Sequence, residues 1–162
     1  MIRPVRSEDL PFLLTINNAC TPGVGELDMP RLRHLIGQAA HTLVAEVNSA
    51  PAGFLLCLHE GAQYDSPNYR WLSDRFARMA YVDRIAVADG HRGLGLGDHL
   101  YRALHSAEAG SARPITCEVN ERPANPGSLR FHTRLGFRPV GRLDHGDKAV
   151  VFLALPAEEA TA

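Results

Sequence analysis

The run "DGHRGLGLGDHLYRAL", Asp89 to Leu104, constrains the fold more than any other stretch of the chain. It follows the strand-like "RIAVA" and packs Gly93, Gly95 and Gly97 into five residues. Leu96, Leu100, Ala103, Leu104 and Ala107 then recur at helical spacing. Glycine reaches positive φ without a Cβ clash and lets a backbone approach closely. The run therefore predicts a strand, a tight turn and a helix whose first amides point out of the turn. Such amides, with the cation of Arg92 beside them, suit an anion of the phosphate type. A strand feeding a helix in this way calls for a sheet with helices packed on it.

The rest of the chain supplies that sheet. "MIRPV" reads as a short first strand, and Ser7 is a candidate N-cap for the apolar helix "LPFLLTINNA". A second helix begins near Asp28, with Leu32, Leu35 and Ile36 on one face. "TLVAEV" and "AGFLLCLHE" are strands around the turn "NSAP". Gly61 to Met79 has no clean period; a stretch of this length is either functional or carries a short helix. "YVDRIAVA" and "PITCEV" are further strands, on either side of the glycine turn and its helix. "SLRFHTRL" is a helix stopped by Gly136, and "FRPVGRLD" and "KAVVFLAL" close the chain through "HGD". The expectation is one domain over residues 1–156 and a polar tail over 157–162.

Three known anion-binding patterns compete for the glycine turn. A nucleotide P-loop requires a lysine followed by Ser or Thr, which this run lacks. A dinucleotide turn requires GxGxxG; from Gly93 the spacing is GxGxG, and Asp98 follows. The third fits. Arg92-x-x-Gly95-x-Gly97 resembles the Arg/Gln-x-x-Gly-x-Gly/Ala acetyl-coenzyme A signature of the GNAT superfamily of N-acetyltransferases. Downstream, Asn125, Phe131, Leu135, Gly136 and Phe137 in "NPGSLRFHTRLGF" resemble the second hallmark of that superfamily, and the order of elements matches from Ile2 to Leu155. Within it, the chain is similar to a group of predicted acetyltransferases rather than to the histone or ribosomal-protein enzymes.

The resemblance implies an α/β (α+β) fold: a mixed six- to seven-stranded sheet with helices on both faces and a splayed central strand pair. It implies acetyl-coenzyme A as cosubstrate and a primary amine of a small molecule or peptide as acceptor, with direct attack in a ternary complex. The turn from Arg92 through Gly93, Leu94, Gly95, Leu96, Gly97 and Asp98 would hold the pyrophosphate. The backbone of Ile85, Ala86 and Val87 would pair with the pantetheine arm, and Asn125, Ser128 and Phe131 would meet its far side. The alternative is a non-catalytic acyl-coenzyme A sensor or regulatory module on the same fold.

An attacking alkylammonium must first lose a proton, which a carboxylate can accept. Glu118 is a charged residue within a strand and Asp83 sits on "YVDRIAV" in step with Tyr81 and Ile85, so both are base candidates. A salt bridge of either with Arg84 is the competing role. The superfamily often has tyrosine after the aromatic residue of the later helix, where it protonates the leaving thiolate. Here His132 follows Phe131, so His132 is either a substitute acid or a hydrogen-bonding group of the fold. Direct attack requires no nucleophile from Ser128 or Cys117. Tyr64, Tyr69 and Glu26 are candidate acceptor contacts, whereas Trp71 and Phe76 read as packing.

Composition narrows the function further. The formal net charge of -1 argues against nucleic acid, and no apolar run is long enough to span a membrane. The N-terminus lacks a signal-peptide core, so a cytoplasmic location is expected. Cys20, Cys57 and Cys117 show no CxxC spacing, and the eight histidines show no ligand pattern, His91 and His99 included. No metal is expected. Homodimerisation through the final strands or the sheet edges stays open.

Overall fold

The computed structural model describes residues 1–157, so residues 158–162 of the expected tail lie outside the described residues. Strands β1 (Ile2–Pro4), β2 (His41–Val47), β3 (Ala50–His59), β4 (Ala80–Val87), β5 (Ile115–Arg122), β6 (Arg138–Asp144) and β7 (Ala149–Leu155) form one sheet in the order β1-β2-β3-β4-β5-β7-β6. All neighbours are antiparallel except β4 and β5. Helices α1 (Leu10–Ala19), α2 (Met29–Gln38) and α3 (Pro67–Ser73) cover one face; α4 (Leu96–Ala107) and α5 (Pro126–Arg134) cover the other. Both faces are therefore buried, and the expected mixed sheet has seven strands.

Local chemistry accounts for most boundaries. Asp28 caps α2 by accepting from the Arg31 N–H at 2.9 Å, a bond worth about 1 kcal/mol. Asn48 and Ser49 both have positive φ and close the β2–β3 hairpin with the left-handed pair that matches strand twist. Ser66 caps α3, so the aperiodic segment does carry a short helix. Its Trp71 stacks on Phe152 of β7 with centroids 4.1 Å apart, and Phe76 packs on the same cluster.

Three expectations change. Ser7 does not cap α1: Ser7–Asp9 is a 3-10 turn, and the Asp9 carboxylate accepts from the Arg6 N–H while pairing with the buried Arg3 guanidinium at 2.7 Å. Strand β5 runs on to Arg122, because Asn120 and Arg122 find partners in Val150 and Ala149 of β7. On β4 the alternation breaks. Leu56 pairs with Arg84 and Cys57 with Val82, so Asp83 is the extra residue of a bulge. Tyr81 consequently faces the α1–α3 side and Ile85 the α4 side, rather than sharing a face.

The same bulge lies where β4 and β5 part. The two strands pair only at Ala80–Ile115 and Tyr81–Thr116. Beyond Tyr81 the edge of β4 that faces β5 has no strand partner among the described residues, and a cleft opens between them.

Candidate active site

The cleft has a volume of about 720 Å³. Its mouth is the glycine turn. Gly93 and Gly95 have φ of +82° and +75°, and Gly95 is the left-handed residue from which α4 starts. The amides of Leu96, Gly97 and Asp98 stand in the first turn, where a helix has no carbonyl of its own to offer them. Gly97 differs from the other two. Its φ is not positive, but a Cβ there would come within 2.8 Å of Phe131 Cζ. It is glycine so that the Phe131 ring can lie against the start of α4. Arg92 is exposed at the rim, 3.2 Å from Asp89, and Leu94 projects outward without lining the cleft.

One wall is the free edge of β4, with Ile85, Ala86 and Val87. The other is the start of α5. Asn125 caps that helix through a 3.3 Å bond accepted from the Ser128 N–H, and both residues line the cleft with Phe131.

The floor is charged. Both oxygens of Glu118 accept from the buried Tyr81 hydroxyl, at 2.8 and 2.7 Å, and Oε1 also accepts from Asn68 Nδ2 at 3.2 Å. Burial, with the Asp83 charge second, pushes the Glu118 carboxyl up to about 8. Asp83 accepts from the Tyr64 hydroxyl at 2.6 Å and from Arg84 Nε at 2.7 Å. Arg84 in turn donates to Asn17 Oδ1 and the Gly25 carbonyl, both at 3.0 Å, which ties the loop after α1 to the site. Asp83 is thus held in the salt bridge with Arg84, while Glu118 pairs with no cation among the described residues.

His132 is buried beside this floor. Its Nδ1–H donates to the Ser128 carbonyl at 2.8 Å, so Nε2 carries the lone pair and accepts from the Tyr101 hydroxyl at 2.7 Å. Burial pulls its pKa below the usual imidazole value. Both ring nitrogens are engaged, and the ring is neutral near pH 7.

The expected acceptor contacts do not reach the cleft directly. Tyr64 touches it only through Asp83. Tyr69 is buried; its hydroxyl donates to the His59 carbonyl and accepts from the Ala62 N–H, so it anchors the α3 segment. Glu26 is exposed and outside the cleft lining. In their place, Cys20, Gly23 and Val24 line it from the loop after α1. Tyr101, Tyr81 and Asn68 were not marked as site residues by the sequence. For Tyr101 a signal existed: it sits four residues after Gly97 and so shares its helix face. For Asn68 there was none.

The acetyltransferase (GNAT) family model matches residues 10–137. No curated protein sequence matches the chain significantly. Among solved structures, the ribosomal-protein-S18-alanine N-acetyltransferase from Escherichia coli superposes with a TM-score of 0.75 at 17% identity, covering 99% of this chain and 96% of that one. Arabidopsis thaliana NAA60, in complex with a bisubstrate analogue, gives 0.75 at 16% identity, covering 96% and 97%. An N-acetyltransferase from Staphylococcus aureus Mu50 gives 0.72 at 22% identity, covering 98% of each chain. At these identities the likeness concerns the fold.

Proposed function

The chain belongs to the acetyltransferase (GNAT) family, and on that premise we propose that it moves an acetyl group from acetyl-coenzyme A to a primary amine of a small molecule or peptide by direct attack in a ternary complex. The observation that carries this reading is the cleft itself. It runs from an amide-lined glycine turn, along an unpaired strand edge, to a carboxyl whose pKa is raised to about 8.

Acetyl-coenzyme A supplies the thioester. The amides of Leu96, Gly97 and Asp98 and the Arg92 guanidinium hold its pyrophosphate. The free edge of β4 at Ile85–Val87 offers strand-like hydrogen bonds to its arm. Asn125, Ser128 and Phe131 close the far side, and an unpaired β4 amide polarises the acetyl carbonyl. Glu118 takes the proton of the incoming ammonium on a carboxylate oxygen. Its raised pKa lies closer to that of an alkylammonium, near 10, than an ordinary carboxylate does. Asp83 acts by charge, keeping Glu118 basic, while Arg84 holds Asp83. For His132 to protonate the thiolate it must first gain a proton, which burial opposes. We therefore assign His132 to holding the Tyr101 hydroxyl against the cleft.

That arrangement also favours a second reading, a non-catalytic acyl-coenzyme A sensor, because no acid with a free proton faces the sulfur from α5. The test is thiol release from acetyl-coenzyme A with a broad amine panel, beside thermal stabilisation by coenzyme A. Turnover with any primary amine establishes the transferase. Stabilisation with no turnover across the panel selects the sensor, and no stabilisation removes both.

A further inference from the structure

At the other end of α4 lies a second cluster of chemically active side chains. Helix α4 is twelve residues long, so its two ends are about 18 Å apart. His41 at the start of β2 and His59 at the end of β3 point to the same sheet face and meet Glu108, the C-cap of α4. Both imidazoles direct Nε2 at one oxygen, Glu108 Oε1. His41 is 3.2 Å from it and His59 is in close contact. The three ligating atoms lie within 4.8 Å of one another.

We propose that His41, His59 and Glu108 form a binding site for a divalent first-row transition metal of the Zn2+ type, separate from the cleft. Four features support it. Two imidazole nitrogens and a carboxylate oxygen are a donor set suited to Zn2+ and its neighbours rather than to Mg2+ or Ca2+. Tetrahedral ligands at about 2.1 Å from a metal sit about 3.4 Å from each other, which side-chain rotation can reach from the observed spread. The side chain of Glu108 is 4% exposed, while those of His41 and His59 are 24% and 28% exposed, so the carboxylate is fixed from within and the outer side is open to water. Finally, the charges leave room for a cation. Arg113 pairs with Glu60 at 3.0 Å and stands 3.7 Å from Glu108 Oε2, so one guanidinium serves two carboxylates at the negative end of a helix.

A bound ion would join β2, β3 and α4 at one point, and it would stabilise the fold by mass action. The site stands whether or not the cleft proves catalytic. The test uses tag-free, chelator-treated full-length protein titrated with Co2+ and read by visible d–d absorption, followed by Zn2+ competition and thermal melts. We expect one Co2+ per chain, displaced by Zn2+, and a higher melting temperature with Zn2+. H41Q and H59Q should each weaken binding at least about 100-fold, beyond the loss typical of a group that merely orients a ligand. C20S should bind as the parent does. No d–d band, or binding that survives both histidine substitutions, overturns the proposal. Circular dichroism of H41Q and H59Q separates lost binding from lost fold.

Discussion

Glu118→Gln offers a quantitative check on the floor of the cleft. The Glu118 carboxyl is raised from 4.5 to about 8, chiefly by burial. The folded protein therefore keeps a proton that the unfolded chain releases between those values. The stability this contributes is fully present below pH 4.5 and is lost as pH rises through about 8. The slope is about 1.4 kcal/mol per pH unit within the window, so moving from pH 5 to pH 7 removes about 3 kcal/mol. Glutamine has nearly the same shape, can accept from Asn68 and Tyr81 through its oxygen, and does not titrate. Every group other than residue 118 is common to both proteins, so those contributions cancel in the comparison. Urea unfolding of both proteins at pH 5 and pH 7 should show E118Q gaining about 3 kcal/mol on the parent over that interval. In the same variant, kcat/KM should fall about 10²- to 10⁴-fold at pH 8. The parent's advantage should shrink as pH drops and Glu118 becomes protonated. A stability difference that stays constant between pH 5 and pH 7 would refute the raised carboxyl. An unchanged rate would remove Glu118 as the proton acceptor.

Asp83→Asn removes a charge that raises Glu118 and leaves the buried Arg84 guanidinium without its counter-ion, so the rate profile should move to lower pH and stability should drop by about 3–5 kcal/mol, read by pH-rate and urea measurements. Gly95→Val forces a β-branched residue to φ near +75°, costing about 1–2 kcal/mol, and thermal melts should show that coenzyme A no longer stabilises the variant. His132→Leu leaves the buried Tyr101 hydroxyl without its acceptor and should cost about 1–3 kcal/mol in urea unfolding, whereas His132→Gln keeps an acceptor and should recover most of it. In His132→Gln, turnover and acetyl-coenzyme A affinity should both stay near the parent's, and a loss of turnover at unchanged affinity would return His132 to the proton chemistry.

Much of this protein is written locally. Glycine at 93 and 95 sets backbone geometry within a few residues of itself, so the turn and most of the order of elements could be read directly, whereas the caps could not: Ser7, the expected cap of α1, does not cap it, and Asn125 caps α5. The alternation of "TCEVN" likewise puts Glu118 opposite Cys117 before any fold is known. Convergence across distant segments is different, because it depends on register and on which strand is bulged. One extra residue at Asp83 turns Ile85 to the other face and accompanies the parting of β4 and β5, and no periodicity in "YVDRIAVA" announces it. The partners of Glu118 come from α3 and β4, and that of His132 from α4. Gly97 looks like its glycine neighbours in sequence, but the Phe131 ring explains it. His41 and His59 stand 67 and 49 residues from Glu108, a separation at which spacing carries no ligand pattern. Sequence alone determined the order of the strands and of every helix but α3, and the mouth of the cleft, because those follow from local backbone energetics. Tertiary structure decided the proton-carrying floor and the histidine cluster, because only packing brings side chains so far apart in the chain within hydrogen-bonding range.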